Sequence, residues 1–175
     1  LRRSLMLSLQ VSVVGGLAIV TTAGYVKNEL NMEDAFYPVA MSVMGAGAMI
    51  GALYFSRCKA SCQRLWGLMI LPSFMAILAL VALAQSYYVL IFAWLISGAG
   101  QGVFGIISNN LLALNSIEKE RPHIYAAQFA LSHAGWGISY PLCGFLASEY
   151  SFSVASWACL GLMLITMVPM IGRRS

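Results

Sequence analysis

Residues 87–114 read YYVLIFAWLISGAGQGVFGIISNNLLAL, without one Asp, Glu, Lys or Arg. A helix needs about 20 predominantly apolar residues to cross a hydrocarbon layer ~30 Å thick. Lipid offers backbone amides no partner, so a spanning segment must pair them internally. The stretch therefore reads as a membrane-spanning helix. Working outward, Leu5–Val26, Ala35–Phe55, Leu65–Ala84, Ile124–Ala147 and Phe152–Ile171 read the same way. The chain is 60% hydrophobic and 9% charged, against about 25% charged residues in a soluble domain. The expected class is an all-α integral membrane protein, a single bundle of six transmembrane helices across residues 1–175. A β-barrel would need short segments of alternating polarity, and these runs are continuous and too long.

Charge sets the topology. Arg2, Arg3, Arg57, Lys59, Arg64, Lys119, Arg121, Arg173 and Arg174 fall on one side of the implied membrane, and only Lys27 on the other, beside Glu29, Glu33 and Asp34. The positive-inside rule puts the basic side in the cytoplasm. The chain then lies in the inner or plasma membrane with both termini cytoplasmic. The net charge of +4 is accounted for by topology, and no nucleic-acid partner is expected.

The first apolar run is too long for a signal peptide and ends without a small-residue cleavage site. The sequence opens at Leu1, which favours a piece of a longer protein over a processed one. Cys58 and Cys62 sit in a reducing loop, and Cys143 and Cys159 within helices. No disulfide framework follows. The Cys58/Cys62 spacing without a nearby His is a weak metal signal, so no metal and no cofactor is expected.

Between the spans, Asn31 is a candidate cap for the second helix, with Glu33 and Asp34 in its first turn. Gln85 and Ser86 make a tight turn, followed by Tyr87, Tyr88 and Trp94 near a membrane interface. Pro122 suits the first helical position of the fifth helix. Gly47-x-x-x-Gly51 and Gly98-x-x-x-Gly102 allow close backbone approach, either as ordinary helix packing or as a sliding surface between bundles. Pro141 is a candidate kink or hinge.

Neutral polar residues fall in stripes. Trp94, Ser97, Gln101, Gly105, Ser108 and Asn109 share a face of the fourth helix. Gln128, Ser132, Gly135 and Ser139 share one on the fifth, next to His133, Trp136 and Tyr140. On the first helix Gln10, Thr21 and Tyr25 can share a face. Two readings stand: interhelical glue, or the lining of a wet cavity that touches a solute. His133 is the one group inside a span that titrates near neutrality and could couple transport to protons; a satisfied neutral histidine is the plainer account. No Asp, Glu, Lys or Arg lies deep in a span, which argues against a self-contained ion pump.

The basic loop after the second helix carries Ala52-Leu53-Tyr54-Phe55-Ser56-Arg57-Cys58-Lys59. It resembles the Gly-x-x-x-Asp-Arg-x-Gly-Arg-Arg loop of the major facilitator superfamily, keeping Arg57 and the basic Lys59 while Ala52 and Ser56 replace the glycine and the aspartate. The run from Ser132 to Gly144 looks like the penultimate helix of many members. An early arginine of the fourth helix, frequent in the family's first half, has Trp94 near its place. The whole chain therefore resembles the C-terminal six-helix half of such a transporter. The resemblance implies a central cavity lined by the first and fourth helices, contact between halves through the second and fifth, and rocking about a midplane site.

The leading expectation is thus non-enzymatic: half of a secondary transporter, moving a small solute by alternating access, with efflux of a partly apolar compound suiting the side chains. The missing N-terminal half or a second copy would complete the path. Gln10, Thr21, Tyr25, Trp94, Gln101, Ser108, Asn109, Gln128, His133 and Trp136 are the candidate solute contacts. The alternative is a non-transporting membrane assembly protein whose polar stripes are dry. An intramembrane serine protease is more remote: Ser139 and His133 are six residues apart on one helix, about 600° of rotation, and face apart.

Overall fold

A computed structural model describes the backbone of residues 2–57, 60–114 and 116–171, and the side chains of residues 8–57, 70, 73–110, 112–114 and 116–165. The side chains of Arg2, Arg3, Cys58, Lys59, Cys62, Arg64, Arg173 and Arg174, named above, fall outside these. Among the described residues all regular structure is helical. The order is α1 (Arg2–Gly24) with a π turn (Tyr25–Glu29), α2 (Phe36–Ser56), α3 (Ala60–Ala84), α4 (Tyr87–Leu114), a 3-10 turn (Glu118–Glu120), α5 (Arg121–Glu149) and α6 (Phe152–Ile171).

Three helices begin earlier than hydropathy suggests, α1 at Arg2 among them. α3 takes in Ala60 to Arg64 and α5 starts at Arg121, because neither stretch holds a residue that stops a helix. Pro122 is the second helical residue rather than the first, still within the turn where its missing N–H costs no bond. Asn31 does not cap α2. It lies at φ 52°, a left-handed conformation that Asn tolerates, and it ends the π turn. There Leu30 N–H donates to Tyr25 C=O and Met32 N–H to Val26 C=O, both at 3.0 Å. Ala35 occupies the N-cap of α2, without a side-chain bond. Gln85, at φ 29°, makes the turn between α3 and α4.

α2 lies along α4, and α1 along α5. α3 packs on α4 and α6, and α6 on α1, α3 and α5. Exchanging the first three helices for the last three maps α2·α4 onto α5·α1 and α3·α4 onto α6·α1. This is the pattern of a three-plus-three inverted repeat.

Both main crossings are made by small residues. A methyl group at Gly47 would collide with the backbone of Leu95, at Gly51 with Ala99, at Gly98 with Met44, and at Gly102 with Ala48. The two glycine pairs therefore pack on each other's helices inside this bundle. At the second crossing Gly15 faces the Trp136 ring, Gly16 faces Ser139 and Gly135 faces Ser12. Ser139 Oγ–H donates across it to Ser12 C=O at 2.9 Å. Such contacts supply dispersion where lipid removes any hydrophobic preference between helices.

α2 exposes Met49, Ile50, Leu53 and Tyr54, and α5 exposes Phe129, Leu131, Ile138 and Phe145. Ser8–Glu29, Phe36–Ser56 and Tyr87–Leu114 are long and apolar enough to cross a membrane, while Ser73–Ala84 and Phe152–Ile165 are shorter apolar stretches of described residues. α5 does not join them, because Gln128, Ser132, His133, Ser139 and Ser148 dilute its hydropathy.

Replacing Gly98 with Ala should separate α2 from α4 and cost about 1–3 kcal/mol, the range for overpacking. Gly45→Ala on α2, with no neighbour within 4 Å, should be neutral or raise stability by up to about 1 kcal/mol. Denaturant unfolding of the purified protein in detergent reads both. Equal midpoints would mean that the helices do not approach as described.

Candidate functional site

The polar stripes of α1, α4 and α5 meet around α1. Trp94 is fully buried within the bundle, and its Nε1–H donates to Thr22 Oγ1 at 2.9 Å. Thr22 in turn donates to Ala18 C=O, so its oxygen is held ready as the acceptor. Tyr25, on the next turn, stacks on Phe152 of α6 with ring centroids 4.0 Å apart, and Trp94 meets the same ring edge-on at 6.4 Å. Glu29 completes this end. Its Oε1 accepts the Phe152 N–H at 2.7 Å, where carboxylates satisfy a helix start. Two of the sequence candidates, Tyr25 and Trp94, are thereby joined through Phe152.

Gln10, Thr21 and Tyr25 do share a face, and all three are buried. That face holds Tyr25 against α6, and Thr21 donates to its own helix at Leu17 C=O, 2.6 Å. On a helix turning about 100° per residue, Gln10 and Thr21 lie about 120° or more from Gly15, where Trp136 rests. The α1 stripe and the α5 aromatics thus occupy different sides of α1.

Gln128 and Trp136 reach α1 directly. Gln128 Nε2–H donates to Ser8 Oγ at 2.6 Å, and Trp136 lies over Gly15 with Tyr140 edge-on at 5.4 Å. His133 is exposed and stacks on Phe129 at 3.8 Å. Its Nδ1 is 2.9 Å from Phe129 C=O. A carbonyl only accepts, so the proton of this bond sits on Nδ1. Asn109 is exposed, and its C=O takes the Tyr125 hydroxyl at 3.2 Å. Arg121 donates to Ala113 C=O at 3.2 Å, tying α5 to α4 at the same end. Ser108 is buried on α4. Pro141 lies inside the continuous helix α5, and Arg57 is the exposed C-cap of α2.

Four buried polar atoms in this region lack a partner among the described residues: Ser97 Oγ and Gln101 Nε2 on α4, Tyr25 Oη on α1 and Gln128 Oε1 on α5. Ser97 and Gln101 are one turn apart on one face. At the Glu29 end, an open recess of about 290 Å³ is lined by Ala23, Gly24, Val26, Lys27, Asp34 and Tyr37. Lys27 and Asp34 pair across it at 3.1 Å, both largely exposed. No group of three His, Cys, Asp or Glu that could hold a metal occurs among the described residues.

Sequence reasoning missed Thr22, Phe152, Glu29 and the Ser8, Ser12 and Gly16 side of α1. Ser8, Ser12 and Gly16 recur every four residues, as do Gly135, Ser139 and Cys143. That small-residue spacing was the available signal. Nothing local marks Glu29 as the partner of a helix start 123 residues away.

Residues 5–174 match the family model of the Major Facilitator Superfamily. The chain belongs to that superfamily, whose members are multi-pass membrane transporters rather than enzymes. No curated protein matches it.

A double-mutant cycle on Trp94→Phe and Thr22→Val should return a coupling of about 1 kcal/mol, the net value of one neutral hydrogen bond, in unfolding of the purified protein. Strict additivity would mean that Trp94 does not bond Thr22.

Proposed function

We propose that this chain forms one six-span half of a secondary transporter and moves a small, uncharged or partly apolar solute by alternating access, in the direction of efflux. The observation that carries the reading is the set of buried polar atoms, Ser97 Oγ, Gln101 Nε2 and Gln128 Oε1, that lack a partner among the described residues. Leaving a buried donor or acceptor unmade costs about 1–3 kcal/mol each. A wet cavity or a bound solute relieves that cost. Among the described residues no Asp, Glu, Lys or Arg is buried within a span, so recognition rests on neutral hydrogen bonds and on Trp136 and Tyr140. The exposed apolar faces of α2 and α5 suit contact with a second bundle, either an N-terminal half or another copy. The assembly-protein reading draws support from Gln128–Ser8 and Ser139–Ser12, which are interhelical glue.

The deciding experiment uses single cysteines at Gln101, Asn109 and Gln128 in a chain lacking its native cysteines, with a water-soluble thiol reagent. On the transport reading all three label, and a transported solute slows the labelling. No labelling from either side, with or without a supplied N-terminal half, sinks it. Gln101→Leu should weaken solute affinity about tenfold, the equivalent of one hydrogen bond of about 1.4 kcal/mol.

Both ends are assigned to the cytoplasm. An impermeant reagent should label a cysteine at Asn31 in intact cells, and one at Lys119 only after permeabilisation. The reverse pattern overturns the assignment.

A further inference from the structure

Cys143 on α5 and Cys159 on α6 take no part in the proposed solute path. Both are free thiols, buried at 0% and 2% exposure. Their sulfurs are 3.5 Å apart, one thiol donating to the other. The fold brings them together by register. α5 ends at Glu149 and α6 starts at Phe152, so only Tyr150 and Ser151 separate the helices. Cys143 lies six residues before that turn and Cys159 seven after its far side, about 9 Å and 10.5 Å at 1.5 Å per residue. The two thiols therefore sit at one depth. Tyr150 N–H bonds Leu146 C=O at 3.2 Å and Ala155 N–H bonds Ser151 C=O at 3.1 Å, which closes both helix ends around the turn.

Each thiol also lies on the buried stripe of its helix, with Gly135 and Ser139 below Cys143, and Phe152, Ala155 and Met163 flanking Cys159. One neighbour on each stripe is anchored. Ser139 is bonded to α1, and the first turn of α6 is held by Glu29. The pair is a consequence of helix register, not of one rotamer.

We infer that Cys143 and Cys159 form a site of reversible disulfide formation by a small, uncharged oxidant of the peroxide class. One sulfur attacks the peroxide, the O–O bond breaks, a sulfenic acid forms and one water leaves. The second thiol displaces the hydroxyl, the S–S bond forms and a second water leaves. Two thiols and one peroxide give one disulfide and two waters. The sulfurs close from 3.5 Å to about 2.05 Å. Burial selects the oxidant. A charged or bulky reagent does not reach these sulfurs, whereas a small neutral peroxide enters an apolar layer. The product is a covalent strap that fixes α5 against α6, and it does not depend on the solute the chain carries.

The test uses the full chain in liposomes with Cys58→Ser and Cys62→Ser, leaving the two thiols of the pair. It is treated with hydrogen peroxide, denatured, alkylated with a maleimide and weighed by mass spectrometry. The expected product is lighter by two hydrogens, carries no maleimide, and regains two on treatment with dithiothreitol. A charged thiol reagent applied before denaturation leaves both thiols unmodified. Adding Cys143→Ser should abolish the lighter species. Two thiols still alkylated after peroxide, oxygen adducts in place of the lighter species, or chains linked to each other would each overturn the assignment.

Discussion

The bundle depends on backbone lying against backbone where α2 crosses α4. Lipid is as apolar as the side chains it meets, so helices in it gain little by merely hiding leucines. They gain by close approach, which brings many atoms into dispersion contact. Gly47, Gly51, Gly98 and Gly102 make that approach possible because each faces a carbonyl or amide rather than a side chain. The crossing of α1 and α5 solves the same problem with a mixed set. There Gly15 admits an indole ring, and Ser12, Gly16, Gly135 and Ser139 interleave with one hydrogen bond. The two crossings occupy equivalent places in the three-plus-three exchange. One is glycine-lined, with backbone against backbone. The other is partly polar and carries Trp136, Gln128 and His133 beside it.

On the transport reading, the polar groups decide where a solute would sit. Trp94, Thr22, Tyr25, Phe152 and Glu29 form a cluster that ties α1 to α4 and α6 at one end through two hydrogen bonds and ring stacking. Toward the middle, α4 presents Ser97 and Gln101 with polar atoms unmatched among the described residues. Networks of buried polar groups stabilise only when complete. The unmatched atoms are thus the physical reason to favour a wet or ligand-binding region over a dry one. The α1 stripe works differently. Thr21 satisfies itself on its own helix, as a lone threonine in a membrane helix does.

Much of this was legible in the sequence, and what was not has physical causes. Uncharged runs marked each helix because an apolar segment has few alternatives, and the Gln85–Ser86 turn was visible as a break between them. Periodicity put Gln10, Thr21 and Tyr25 on one face but could not say which neighbour that face meets. The starts of α3 and α5 were hidden because helix formers such as Arg and Gln continue a helix past the apolar boundary. Asn31 was read by its capping habit, whereas the π turn needed its tolerance of positive φ. The α1–α5 crossing escaped because Ser12 and Ser139 are interleaved there with Gly16 and Gly135, so neither helix shows a glycine pair four residues apart at that place. Trp94 follows Tyr87 and Tyr88 and so reads as one more ring of an aromatic belt, whereas the buried acceptor of its indole N–H is supplied only by the fold.

The same contacts limit how the bundle can move. A shift of α2 along α4 by one residue would turn the Gly98 and Gly102 contacts onto side-chain carbons, and packed interfaces of this kind are not continuously deformable. The α1–α5 crossing is likewise pinned, by Trp136 over Gly15 and by Ser139 on Ser12. Off these two crossings lie the π turn of α1, a local widening often associated with function, and the exposed apolar faces of α2 and α5. On the transport reading, access therefore changes by motion of the whole bundle against its partner. Local adjustment falls to the Tyr25–Glu29 turn, where the Glu29 carboxylate and the Tyr25 ring hold α6.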